Sequence, residues 1–108
     1  MDLATLRKLV ALDEADPLSR FALGKKLFEE ANGSLDMLEE AAEHLGFANQ
    51  QAPEHLATYH IYGQVLAALG RKDEARRVYE EGIKRVGGVG EGMGRDLGPA
   101  MTALLAQL

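Results

Sequence analysis

The stretch Pro53–Gly87 reads PEHLATYHIYGQVLAALGRKDEARRVYEEGIKRVG, and its spacing decides the fold. Leu56, Tyr59, Tyr62, Val65, Leu66 and Leu69 recur at intervals of three and four up to Gly70, the apolar stripe of an amphipathic helix. Past Gly70 a second helix opens near Lys72-Asp73 and carries Ala75, Val78, Tyr79, Ile83 and Val86 on one side. The segment predicts two helices joined by a glycine stop.

The same reading extends in both directions. Leu3, Leu6, Leu9 and Val10 predict a first helix ending near Asp13. Asp16-Pro17 is an N-cap followed by a residue whose fixed φ suits the first helical position. Leu18, Phe21, Ala22, Leu27 and Phe28 continue that helix to Asn32-Gly33, a left-handed stop. Ser34 caps a third helix with Leu35, Leu38, Ala41, Leu45 and Ala48 as its stripe, running out at Asn49-Gln50-Gln51. A fourth is expected to start near Pro53-Glu54. Gly87 to Gly94 holds five of the twelve glycines and predicts no regular structure. Asp96 is placed to cap a last helix, with Pro99 in its first turn and Met101, Leu104, Leu105 and Leu108 on one face. No run alternates as a strand requires, so the prediction is an all-α protein of about six helices.

A repeat lies within these helices. Glu39-Glu40-Ala41 matches Asp73-Glu74-Ala75, Leu45 matches Tyr79, and Ala48 matches Gly82, each at an offset of 34. Leu23-Gly24 followed by Leu27 matches Tyr62-Gly63 followed by Leu66 at an offset of 39. About five extra residues therefore lie between Gly24 and Ala41, in the Asn32-Gly33-Ser34 turn and the first turn after it. Two helices per period of this length are the signature of a helical solenoid.

These residues resemble the tetratricopeptide repeat family, whose pattern is an aromatic, a Leu-Gly pair, a second aromatic, then small, large and small residues. The second unit follows it as Tyr59, Tyr62-Gly63, Leu66, Ala75, Tyr79 and Gly82. The first follows it as Leu23-Gly24, Leu27, Ala41, Leu45, Ala48 and Pro53, with Arg20 where the aromatic is expected. The steric sense is that Gly24 and Gly63 admit the paired helix. Ala41, Ala48, Ala75 and Gly82 receive it, and Leu45 and Tyr79 fill the space between.

The resemblance implies one domain over 1–108, an α-α superhelix of helical hairpins. It would comprise an N-terminal helix (1–14), a first repeat (17–52) with the insertion, a second repeat (53–87), a Gly-rich linker (88–95) and a capping helix (96–108). It also implies a binding scaffold with a concave face lined by the first helix of each unit. The groove positions would be Leu18, Phe21, Lys25 and Phe28 in the first unit and Ala57, His60, Gln64 and Ala67 in the second. The implied function is non-catalytic capture of a protein or peptide segment. Apolar partner side chains would rest on Leu18, Phe21 and Ala57, oriented by Lys25, His60 and Gln64. Phe21 and His60 stand where family members that clamp a terminal carboxylate need Lys-like and Asn-like groups, which disfavours that subclass. Leu18 and Phe28 could equally be core residues covered by the first helix.

Other chemistries find little purchase. The run Gly87-Gly88-Val89-Gly90-Glu91-Gly92-Met93-Gly94 lacks the G-x-G-x-x-G register and any Lys-Ser or Lys-Thr pair, and Glu91 would repel a phosphate. Glu40 and His44, and Gln51 and His55, are four apart, but His55 and His60 are five apart and fall on different faces. A metal site needs three or four convergent ligands, so none is expected, and no cofactor is implied. Ser19 and Ser34 each sit beside a helix start, where capping explains them and no catalytic triad forms. No enzyme is expected.

Composition sets the remaining bounds. The 108 residues suit one domain, and 46% hydrophobic with 27% charged residues is globular composition. Twelve Lys and Arg against seventeen Asp and Glu give a net charge of −5, which argues against nucleic acid. The absence of Cys excludes disulfides and thiolate chemistry. The longest apolar run, Val65 to Leu69, cannot span a bilayer, and Met1 to Lys8 lacks the order of a secretory signal, so a cytoplasmic protein is expected. Seven acids and no base lie between Leu27 and Gly70, whereas Arg71, Lys72, Arg76, Arg77, Lys84 and Arg85 outnumber the acids that follow. That asymmetry offers an alternative function, self-assembly into a homo-oligomer through charged faces or the last helix, which salt would weaken.

Overall fold

The computed structural model describes residues 1–87 and 96–108. The expected linker 88–95 lies outside the described residues, as does the rejected phosphate loop except for Gly87, which is the last residue of a helix and not irregular. Six helices account for the described chain, and no strand occurs among the described residues. The chain divides into two compact units, Met1–Pro53 and Glu54–Leu108.

The first unit holds α1 (Leu3–Leu12), α2 (Pro17–Glu30) and α3 (Leu35–Gln51), with α2 packed against both others. Each helix start is fixed by a side-chain cap. The Asp2 carboxylate accepts from the Thr5 N–H at 2.8 Å. Asp16 accepts from the Leu18 N–H at 3.1 Å and the Ser19 hydroxyl at 2.6 Å, with Pro17 in the first turn. Ser34 Oγ accepts from the Met37 N–H at 3.3 Å. Substituting such a cap by Ala costs about 1 kcal/mol. Between α2 and α3 the chain reverses through two left-handed residues, Asn32 (φ 46°) and Gly33 (φ 84°), a conformation that Asn and Gly tolerate best. Leu6, Val10, Leu23, Leu27, Leu38 and Leu45 are buried in this unit.

The second unit holds α4 (Leu56–Ala68), α5 (Lys72–Gly87) and α6 (Leu97–Ala106), each packed against the other two. Its core is Tyr59, Leu66, Ala75, Tyr79 and Met101, with Leu97, Leu104, Leu105 and Leu108 of the last segment against it. After α4, Gly70 (φ 79°) donates to the Ala67 carbonyl at 3.0 Å and Arg71 to the Leu66 carbonyl at 2.9 Å. That pair of bonds is a Schellman motif, which satisfies carbonyls the helix end would leave unpaired. Asp73 and Glu74 open α5, and Lys84 and Arg85 close it, the charge order that a helix dipole favours.

Two boundaries differ from the sequence reading. Helix α4 starts at Leu56 instead of near Pro53-Glu54, which form a turn. His55 keeps an extended backbone, and its Nδ1 pairs with the buried Thr58 hydroxyl at 2.8 Å. Asp96 occupies the N-cap position of α6, but its backbone is already helical and its side chain makes no capping bond. The five extra residues of the first unit are distributed along the hairpin. Helix α2 extends one residue further past Gly24 than α4 does past Gly63, and the connection is one residue longer. Ala41 sits three residues deeper in α3 than Ala75 in α5.

Candidate binding surface

Each unit is built on a glycine pressed against one large side chain. A Cβ at Gly24 would stand 2.6 Å from Leu45 Cγ and 3.3 Å from the Ala41 carbonyl oxygen. A Cβ at Gly63 would stand 2.6 Å from Tyr79 Cδ1. Both distances are well inside van der Waals contact, so only glycine lets the second helix approach this closely. Leu45 and Tyr79, the paired large residues, are at most 1% exposed. Ala41, Ala48 and Ala75 are buried to the same degree. Gly82 does the same for α6, since a Cβ there would meet Tyr59 Cβ at 2.6 Å and Met101 Sδ at 2.8 Å.

This packing turns other side chains outward. On α2, Leu18 is 57% exposed, Lys25 is exposed, and Phe21 and Phe28 are half-buried. Phe21 and Lys25 line a shallow depression of about 360 Å³ with Met1 and Leu6 from the α1 end and Ala22, Lys26 and Glu29 from α2. Leu18 and Phe28 are not part of its lining. Leu18 is therefore not a core residue under the first helix. On α4, Ala57, His60, Gln64 and Ala67 are all half-buried, and Ala67 packs on the Tyr59–Tyr79 core. The Gln64 amide donates to the His60 carbonyl at 3.1 Å, which ties it to its own helix. Burial holds the His60 imidazole below its ordinary pKa.

Sequence reasoning missed a polar network across the first unit. Arg7 of α1 makes a two-pronged ion pair with Glu40 of α3, one prong at 3.1 Å, and this holds the Glu40 carboxyl below the usual carboxylate range. Glu40 lies 3.4 Å from His44 Nε2, and His44 Nδ1 lies 3.4 Å from the Arg20 guanidinium. Arg20 also donates to the Glu14 carbonyl at 2.9 Å and lies over the Phe47 ring. The available signal was Arg20 itself, since a cation at an aromatic position needs a ring from elsewhere and Phe47 adjoins the small residue Ala48. Spacing alone could not supply Leu6 or Met1, because they reach the depression from a different helix end.

The charge asymmetry takes a specific form. Arg71 pairs with Glu74, Arg76 with Asp73 and Arg85 with Glu81, all within or beside α5. Asp36, Glu39 and Glu43 remain exposed along α3. Among the described residues no three His, Asp or Glu side chains converge as metal ligands, and no helix is long and apolar enough to cross a membrane. Compared with known proteins, the chain matches no family profile and no curated protein.

Proposed function

We propose that this chain is a small tetratricopeptide-like module that captures a protein or peptide segment on the outward face of a hairpin's first helix, α2 in one unit or α4 in the other, without catalytic chemistry. The observation that carries the reading is the shared construction of the two units: Gly24 against Leu45, and Gly63 against Tyr79. One hairpin design used twice is how repeat scaffolds present a surface made of first-helix side chains. On α2 Phe21 and Lys25, and on α4 His60 and Gln64, combine apolar area with few polar groups. An oriented peptide needs such a mixture. The alternative, self-assembly through opposed charged faces, has weaker support. Three of the arginines expected to form its basic side are committed to acids of their own segment.

Selection of a displayed peptide library on the full chain tests the reading. Binders should be enriched, and each should be weakened by Phe21→Ala or by His60→Ala, according to the unit that holds it, while the helical signal is kept. No enrichment, or binders indifferent to both substitutions, would overturn it.

A further inference from the structure

In the first unit acids outnumber bases ten to five. Arg7 is taken up by Glu40, and Arg20 by Phe47, His44 and the Glu14 carbonyl. Of the three lysines left, two line the same depression. Lys25 makes no ion pair among the described residues, and Lys26 pairs with Glu30 at 3.4 Å. Leu6, Phe21 and Ala22 share that lining, and Glu29 is its one acid among the described residues. Lys25 is thus the lysine of the lining without an ion pair among the described residues, beside apolar side chains. A lysine stem extends apolar surface while its ammonium group stays in water.

Such a lining complements a ligand that joins a bulky apolar group to a negative one, and apolar surface beside Lys25 strengthens its field. At about 360 Å³ the depression admits side chains and not a folded surface. The geometry points to an extended peptide segment carrying Asp or Glu next to a large apolar residue. The apolar side chain rests on Leu6 and Phe21, and the carboxylate meets Lys25. The acid is a side chain within the segment, so a free carboxyl terminus is not required. This inference rests on the peptide-binding reading above and gives its partner a chemistry.

The test uses the full chain and a library of displayed peptides with blocked carboxyl termini. Enriched sequences should place Asp or Glu beside Leu, Ile, Phe or Met. Lys25→Glu should weaken a selected peptide by about tenfold or more, since it replaces attraction at the depression with repulsion. Lys8→Glu makes the same charge change on the same unit outside the depression and should leave affinity nearly unchanged. Affinity should also fall as salt rises. Enrichment of neutral or basic peptides, or equal losses in Lys25→Glu and Lys8→Glu, would overturn the acidic-peptide assignment and leave the broader reading standing. No enrichment at all would remove both. A dimeric mass in light scattering that Lys25→Glu returns to monomer would give the depression to a second copy and overturn the peptide.

Discussion

The Arg20 guanidinium lies 4.3 Å from the centroid of the Phe47 ring. In the other unit Arg85 lies 6.0 Å from the centroid of the Tyr59 ring. Both hairpins therefore bring a cation to a ring across the helix pair, with the roles exchanged. In one the first helix carries the cation, and in the other it carries the ring. The exchange gives Arg20 a physical role at a position where the repeat pattern calls for an aromatic residue.

A double-mutant cycle on Arg20→Ala and Phe47→Ala should give a coupling of about 0.5–2 kcal/mol in urea unfolding, the range for a partly desolvated cation–π pair. Arg20→Lys should recover only part of it, because an ammonium cannot stack on the ring or keep the fork to His44 and the Glu14 carbonyl. Additive single losses would show that the two side chains do not cooperate.

Gly63→Ala should destabilise the second unit by about 1–3 kcal/mol, because the added methyl overlaps the Tyr79 ring. The loss should shrink when Tyr79 is truncated at the same time, since contacting sites are not additive. An unchanged thermal midpoint for Gly63→Ala would contradict the close helix approach.

Acid should expose the caps and the buried imidazole in separate steps. Bonds from Ser19 and from the Leu18 N–H hold the Asp16 carboxyl below its ordinary 3.8. Its contribution is present above that value and is lost as pH falls through the lower folded value. Burial lowers His60 from 6.5, so the unfolded chain takes up that proton first. Stability should decline as pH drops below 6.5 and decline again in the carboxylate range. Urea midpoints across this window check both steps. His60→Gln should remove the first, and Asp16→Asn should reduce the second, which Asp2, Glu40 and Glu74 share.

At the alkaline end, burial pushes the Tyr79 hydroxyl up to about 12 from 10.0. Above 10.0 the unfolded chain loses this proton while the folded chain keeps it, so stability falls as pH rises. Burial raises the Tyr62 hydroxyl as well, so ultraviolet titration should show a tyrosine component that ionises with unfolding, and Tyr79→Phe should reduce that component.

Helix identity was legible in the sequence wherever capping chemistry and apolar spacing agreed, as at Asp16-Pro17, Ser34 and Gly70. The glycine pairings were legible too, because a residue without a side chain inside a helical stripe has few explanations besides close packing. The start of α4 was not, since His55 and Thr58 bond to each other and delay the helix past a proline that usually opens one. The depression was legible only in part. Phe21 and Lys25 were among the positions that the resemblance implies, whereas Leu6 reads only as part of its own helix's stripe, and spacing does not connect it to α2. The Arg7–Glu40 pair is invisible for the same reason, being set by tertiary packing over a separation of 33 residues.

The most direct test is an amide-resolved NMR titration of the full chain with a peptide selected on it. The account predicts saturable shifts concentrated on the outward residues of one first helix, Phe21 and Lys25 of α2 or His60 and Gln64 of α4, with the Gly24 and Gly63 packing positions little changed. Shifts confined to α3, α5 or α6, or none at saturating peptide, would contradict it.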